Sequence, residues 1–165
     1  MMVRCVCEFE PTKCQTQSEA IVYKRMIVAY DESPEARRAL VRAIELAKLM
    51  EAELRLVTVS EPLPAYVAYA DVGFPGSKRM LADERQIFYN KLQEEAQVRA
   101  AEGGLVADGV IVEGDEVQSI VDSITSWHAD LLVIGRRHHS SPLTRIWGGT
   151  VHEIAERTRC NILAV

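Results

Sequence analysis

No stretch of this chain approaches the roughly 18 to 20 continuous apolar residues of a membrane-spanning helix. The opening residues, MMVRCVCEFEPTKC, lack the apolar centre of a secretion signal. A membrane partner and an export route are therefore set aside, and the cytoplasm is the expected compartment. Basic excess is missing too: 19 Lys and Arg against 24 Asp and Glu give a formal net charge of −5. That is the opposite of the footprint of a general nucleic-acid binder, so nucleic acid is not an expected partner and any anion site must be local. Cysteine is sparse, with Cys5, Cys7 and Cys14 near the start, Cys160 near the end and no CxxC pair. Such spacing assembles no four-ligand zinc site, and a reducing compartment argues against a structural disulfide. Neither a Walker loop nor a Gly-x-Ser-x-Gly elbow is present. His138, His139 and His152 invite a metal or catalytic reading, but the adjacent pair on the loop has no evident carboxylate or thiolate partner at matching spacing. No metal ligand or catalytic residue is assigned, and a dedicated enzyme is not the expected class. Trp127 and Trp147 read as packing residues.

What remains is an ordinary globular composition, 48% apolar and 26% charged over 165 residues, enough for one domain around one core. Residues 1–24 hold no sustained period of 2 or 3.6 and read as an N-terminal extension adding little to the core. From Arg25 the pattern is regular and the domain runs over 25–165. MIVAY (26–30) is a short apolar run that predicts a buried strand. Ser33 is placed to cap the helix that follows, with Pro34 as its first residue and Ala36, Leu40, Ala43, Ile44, Ala47 and Met50 on one face.

LRLVTV (54–59) predicts a second strand, and a loop rich in Pro and Gly leads into a helix over about 78–101. That helix is expected to turn Leu81, Phe88, Leu92 and Ala96 inward and to stop at Gly103 and Gly104. VADGVIVEG (106–114) is the third strand, and Val117, Ile120, Val121, Ile124 and Trp127 mark the next helix. LLVIG (131–135), a last helix with Val151, Ile154, Ala155 and Thr158 inward, and NILAV (161–165) complete the alternation. Short continuous apolar strands alternating with helices predict a doubly wound α/β domain, its parallel sheet covered on both faces. In such sheets a ligand binds beyond the carboxyl ends of the strands, where the winding reverses.

Two loops at those ends stand out. The first strand delivers Asp31. The fourth delivers VIGRRHHSSPLTRIWGGTVHEI (133–154), which leaves the strand at Gly135 and reaches Gly148, Gly149 and Thr150 at a helix start. Two glycines and a threonine there offer backbone N–H groups and the positive end of a helix dipole, both suited to phosphate. Arg136, Arg137 and Arg145 can neutralise phosphate charge. The alternative is a helix start that is only capped, with solvated arginines.

The segments MIVAYDESPEARRAL, LRLVTV, VEGDEVQSIVDSI and ADLLVIGRR…GGTVHEIAERTRCNILAV, in that order over residues 25–165, resemble the universal stress protein family. The resemblance implies a five-stranded sheet of order 3-2-1-4-5, with the reversal between the first and fourth strands, and a homodimer joined through the last strand. Nucleotide-binding members carry Gly-x-x-Gly, nine residues, then Gly and Ser or Thr. Here Gly135 is the first glycine, His138 stands at the second, and ten residues separate His138 from Gly149-Thr150.

The bound group implied is ATP or another adenine nucleotide, alone or with Mg. The resemblance places Ala29, Tyr30 and Asp31 around ribose and adenine, the backbone of Val57, Thr58 and Val59 along the adenine edge, and Gly114 beside the base. Gly135, Arg136, Arg137, His138, Gly148, Gly149 and Thr150 fall around the phosphates. Asp31 can serve ribose hydroxyls or its own local backbone N–H groups. Two readings stay open: a nucleotide-binding stress-response regulator with an unknown regulatory protein partner, and a dimeric stress-response interaction protein that uses no nucleotide.

Overall fold

Met26, Ile27 and Val28 are fully buried, and they form the centre of strand β1 (Arg25–Ala29). The computed structural model describes residues 23–64, 67, 73–74, 76–136 and 149–165. After β1 come α1 (Pro34–Met50), β2 (Glu53–Ser60), α2 (Ser77–Glu102), β3 (Ala107–Glu113), α3 (Glu116–Trp127), β4 (Leu131–Ile134), α4 (Thr150–Arg157) and β5 (Asn161–Ala164). All strand pairs are parallel and the order is β3-β2-β1-β4-β5. This is the expected doubly wound sheet of order 3-2-1-4-5.

Alternation along β1 divides the core. Met26 and Val28 join Leu40, Ala43 and Ala47 of α1 and Leu92, Ala96 and Ala100 of α2 on one face. Ile27 turns the other way, toward Ile120 and Ile124 of α3 and Ile154 of α4. Successive strand side chains point to opposite faces, so a covered sheet needs apolar residues in succession, which is why MIV and LLVI read as unbroken apolar runs. Ser33 caps α1 as expected, its Oγ accepting the Ala36 N–H at 3.1 Å, with Pro34 in the first turn. Asp115 does the same for α3, accepting the Gln118 N–H at 2.9 Å.

Three expectations about facing residues need correction. Leu81 and Phe88 are not inward: they are 36% and 47% exposed, and the buried residues of α2 are Leu92, Gln93, Ala96 and Ala100. The cause is length. The 26 residues of α2 span about 39 Å, whereas the eight residues of β2 span about 26 Å, so the first half of the helix extends past the sheet that its second half covers. Ala155 is exposed as well, because the eight-residue α4 buries only Ile154. Ahead of β1, Tyr23 packs on the core and the Lys24 N–H donates to Asp130 Oδ2 at 2.8 Å.

Trp127 is a packing residue, half-buried at the end of α3. The Arg55 guanidinium lies 4.5 Å from its ring centroid and also holds Asp108 across the β2–β3 pair, with Nη2 2.6 Å from the carboxylate. Cys160 is a free thiol whose pKa burial raises to about 11, with Asp130 pushing the same way. The thiolate is the reactive form. Alkylation of Cys160 by iodoacetamide at pH 8 should therefore run well behind a model thiol, and equal rates would show that the group is open to water.

Candidate functional site

The sheet reverses its winding between β1 and β4, which are hydrogen-bonded neighbours in register from Met26↔Leu131 to Ala29↔Ile134. β1 is followed by α1 on one face and α4 lies on the other, the arrangement in which doubly wound sheets form a ligand crevice. Four of the sequence-predicted site segments meet this edge: Ala29-Tyr30-Asp31, Val57-Thr58-Val59, Gly114, and Gly135-Arg136. Arg137, His138 and Gly148 lie outside the described residues.

At the end of β1 the backbone is held from the neighbouring strand. The Tyr30 N–H donates to the Val57 carbonyl at 2.9 Å, and the Thr58 hydroxyl donates to the Tyr30 carbonyl at 2.9 Å. Both backbone groups of Tyr30 are thus tied to β2, and its side chain is buried. Asp31 follows, exposed to solvent. Its Oδ1 accepts the Ser33 N–H at 3.0 Å and the Ser33 hydroxyl. The local role open to Asp31 is realised through that oxygen, and it orients the capping serine of α1.

The two glycines that bound the long loop behave differently. A Cβ on Gly135 would stand 2.5 Å from the Glu35 carbonyl carbon and 2.7 Å from the Ala36 nitrogen, so the chain leaves β4 pressed against the first turn of α1. Only a residue without a side chain allows that approach. The next residue is anchored too, the Arg136 N–H donating to the Val165 carbonyl at 2.8 Å. A Cβ on Gly149 would meet nothing within 4 Å among the described residues. Gly149 is the N-cap of α4 and supplies no side-chain hydrogen bond, while its carbonyl accepts the His152 and Glu153 N–H groups at 2.8 and 3.2 Å. The start of α4 therefore presents backbone donors and the positive helix end without a protein carboxylate or hydroxyl capping them from that position. Thr150, half-buried, is the first residue of the helix.

Gly114 has φ +150°, a region that side chains avoid, and its N–H donates to the Ser60 carbonyl at 3.1 Å. It carries the chain from β3 into the Asp115 cap. Among the described residues no group of three or more His, Cys, Asp or Glu stands together as a metal site. Two residues at this edge carry no family motif and were missed by reading the sequence. Gln93, on α2, reaches Thr58 with Nε2 at 2.9 Å, and Glu35, on α1, forms the wall against Gly135. The signal for Gln93 was available: it is the one polar side chain on the buried arc of α2, beside Leu92 and one turn before Ala96.

Comparison with known proteins agrees with this architecture. The model of the universal stress protein family matches residues 22–165. Universal stress protein YxiE of Bacillus subtilis is 25% identical over 150 residues, covering 87% of this chain and 99% of its own. A universal stress protein solved in complex with cAMP superposes with a TM-score of 0.64 at 26% identity, over 87% of this chain and 97% of that one. A family protein of Arabidopsis thaliana solved with AMP bound is similar in fold, with a TM-score of 0.61 at 16% identity over 86% and 90% of the two chains. With its parallel order, its capped first crossover and a family match running from the residue before Tyr23 to the last residue, the chain belongs to the universal stress protein family.

Proposed function

We propose that this protein binds an adenine nucleotide, ATP or AMP, in the crevice beyond β1 and β4 and acts as a cytoplasmic stress-response regulator. The observation that carries the reading is the start of α4, where the N-cap Gly149 leaves backbone donors uncapped by any side chain of its own. An anion is the chemistry that such a helix start recognises. Asp31, at the end of the adjacent β1, supplies a carboxylate for ribose hydroxyls beside it. Relatives solved with cAMP and with AMP support an adenine nucleotide over other anions.

The interaction-protein reading is favoured by one feature, His138 in place of the second glycine of the family motif. Calorimetric titration with ATP, ADP, AMP and cAMP, each with and without Mg, separates the two. Saturable binding of at least one nucleotide is expected. Absence of heat with all four, in protein shown to be folded, would leave the dimeric interaction protein as the reading. His138→Gly restores the family glycine and should tighten ATP if the imidazole crowds the phosphates.

The same reading includes a homodimer through β5. That strand is an edge of the sheet, and Asn161, Leu163 and Ala164 along it are exposed, Leu163 by 38%. An apolar edge strand of this kind invites a partner strand. Leu163→Lys should convert a dimer into a monomer in light scattering at micromolar concentration. A wild-type monomer, or an unchanged assembly in the variant, would remove β5 from the interface.

A further inference from the structure

A hydrogen-bonded relay runs from the middle of α2 to the end of β1. Gln93 is 5% exposed, with Nε2 2.9 Å from Thr58 Oγ1, 3.0 Å from the Val110 carbonyl oxygen and 3.3 Å from that of Leu56. Thr58 is 1% exposed, and its hydroxyl lies 2.9 Å from the Tyr30 carbonyl oxygen. A carbonyl can only accept, so the Thr58 proton goes to Tyr30 and the Thr58 lone pairs accept from Gln93. Three acceptors around one end of the Gln93 amide identify that end as the NH2 group. The relay therefore has one direction, from amide to hydroxyl to carbonyl.

The other end of the same amide has no such explanation. Gln93 Oε1 is buried and meets no donor among the described residues. It faces Gly109, where a Cβ would stand 2.6 Å from it. A buried acceptor without a donor works against folding, and a leucine of similar size would fill the space without that cost. Stability alone is a poor reason for this side chain. Its NH2 end, in contrast, is aimed at the hydroxyl that holds Tyr30.

We propose that Gln93 and Thr58 are positioning residues: they fix the Tyr30–Asp31 peptide at the mouth of the β1–β4 crevice, and the affinity of the site depends on them although both side chains are buried away from it. The ligand in this inference rests on the nucleotide reading above; the positioning is a property of the free protein.

Thr58→Val and Gln93→Leu remove the two links while nearly conserving volume. In 15N-labelled protein both should shift the Asp31 amide resonance, since that amide shares its peptide with the Tyr30 carbonyl, and both should speed its hydrogen exchange. Thr58→Val should weaken AMP by about tenfold, the loss that one buried hydrogen bond represents. Gln93→Leu should weaken it by about threefold with a thermal midpoint close to wild type. Thr58→Ser, which keeps the hydroxyl, should restore both the resonance and most of the affinity. Arg55→Ala serves as a control for stability alone, because it breaks the Asp108 pair on the other face of β2, against Trp127; it should lower the midpoint and leave Asp31 and AMP unchanged. An unmoved Asp31 resonance in folded Thr58→Val and Gln93→Leu overturns the proposal, as does the same loss of affinity in Arg55→Ala. Failure of the wild type to bind AMP overturns the nucleotide reading and the affinity half of this inference, while the Asp31 resonance still decides the positioning half.

Discussion

Gly135→Ala should destabilise the protein by about 3 kcal/mol, the upper part of the range for adding a methyl group where none fits. For a domain of this size that corresponds to a fall of roughly 6 to 12 °C in the thermal midpoint. The argument is steric. A Cβ built on Gly135 lies 2.5 Å from the Glu35 carbonyl carbon, 2.7 Å from the Ala36 nitrogen and 2.8 Å from Glu35 Cβ. Two of those neighbours are backbone atoms of the first turn of α1, which is pinned by the Ser33 cap and by Ala36 and Ala39 in the core. Neither side can yield cheaply. β4 is buried on both faces, and α1 cannot retreat without opening the core around Leu40. Thermal unfolding of Gly135→Ala within a degree or two of wild type would show that the contact between β4 and α1 relaxes easily, and would return Gly135 to the status of an ordinary loop glycine.

Gly149→Val should have the opposite profile, with adenine-nucleotide affinity falling by a factor of 30 or more while stability changes by less than about 1 kcal/mol. Among the described residues nothing lies within 4 Å of a Cβ at Gly149, and its φ of −83° and ψ of 167° are extended backbone that valine adopts without strain. Losing a favourable N-cap residue is the modest cost to the helix. The branched side chain would stand where phosphate must approach the first N–H groups of α4. Calorimetry with AMP and ATP on Gly149→Val, alongside a melting curve, reads both quantities from one preparation. Wild-type affinity in the folded variant would remove the start of α4 from the site. Loss of affinity in step with loss of stability would mean that the residue matters only for folding.

These two glycines mark the limit of what one chain of letters conveys about this site. Both stand at the ends of the same loop and both fit the family motif, yet one is walled in by a helix a hundred residues away in sequence and the other meets no such wall among the described residues. A glycine reads the same in either setting, because what it lacks is a side chain, and the neighbour that makes the lack necessary comes from a distant part of the chain. Leu81 and Phe88 show the same limit in another form. They sit at positions where a helix would bury them, and they would be inward if sheet lay beneath them. Whether it does depends on the lengths of α2 and β2 and on where the helix is docked. Asp31 and Gln93 complete the contrast: the local bond from Ser33 to Asp31 spans two residues and could be read directly, whereas the bond from Gln93 to Thr58 spans thirty-five.

The sequence by itself determined the alternation of elements, the Ser33 and Pro34 start of α1, the glycine stop of α2 and the division of each buried strand between two faces. Each of these depends on interactions within a few residues or on the period of apolar side chains, and both are written locally. Motifs at the strand ends determined the family, and with it the strand order that puts Asp31 and Gly135 side by side. The tertiary structure alone decided that Gly135 is required by α1, that α2 outruns its sheet, and that Tyr30 is held through Thr58 by an amide from the far side of β2. Each of those facts is a meeting of residues far apart in the chain, and the distances that make a contact obligatory exist only once the sheet and its helices have closed around them.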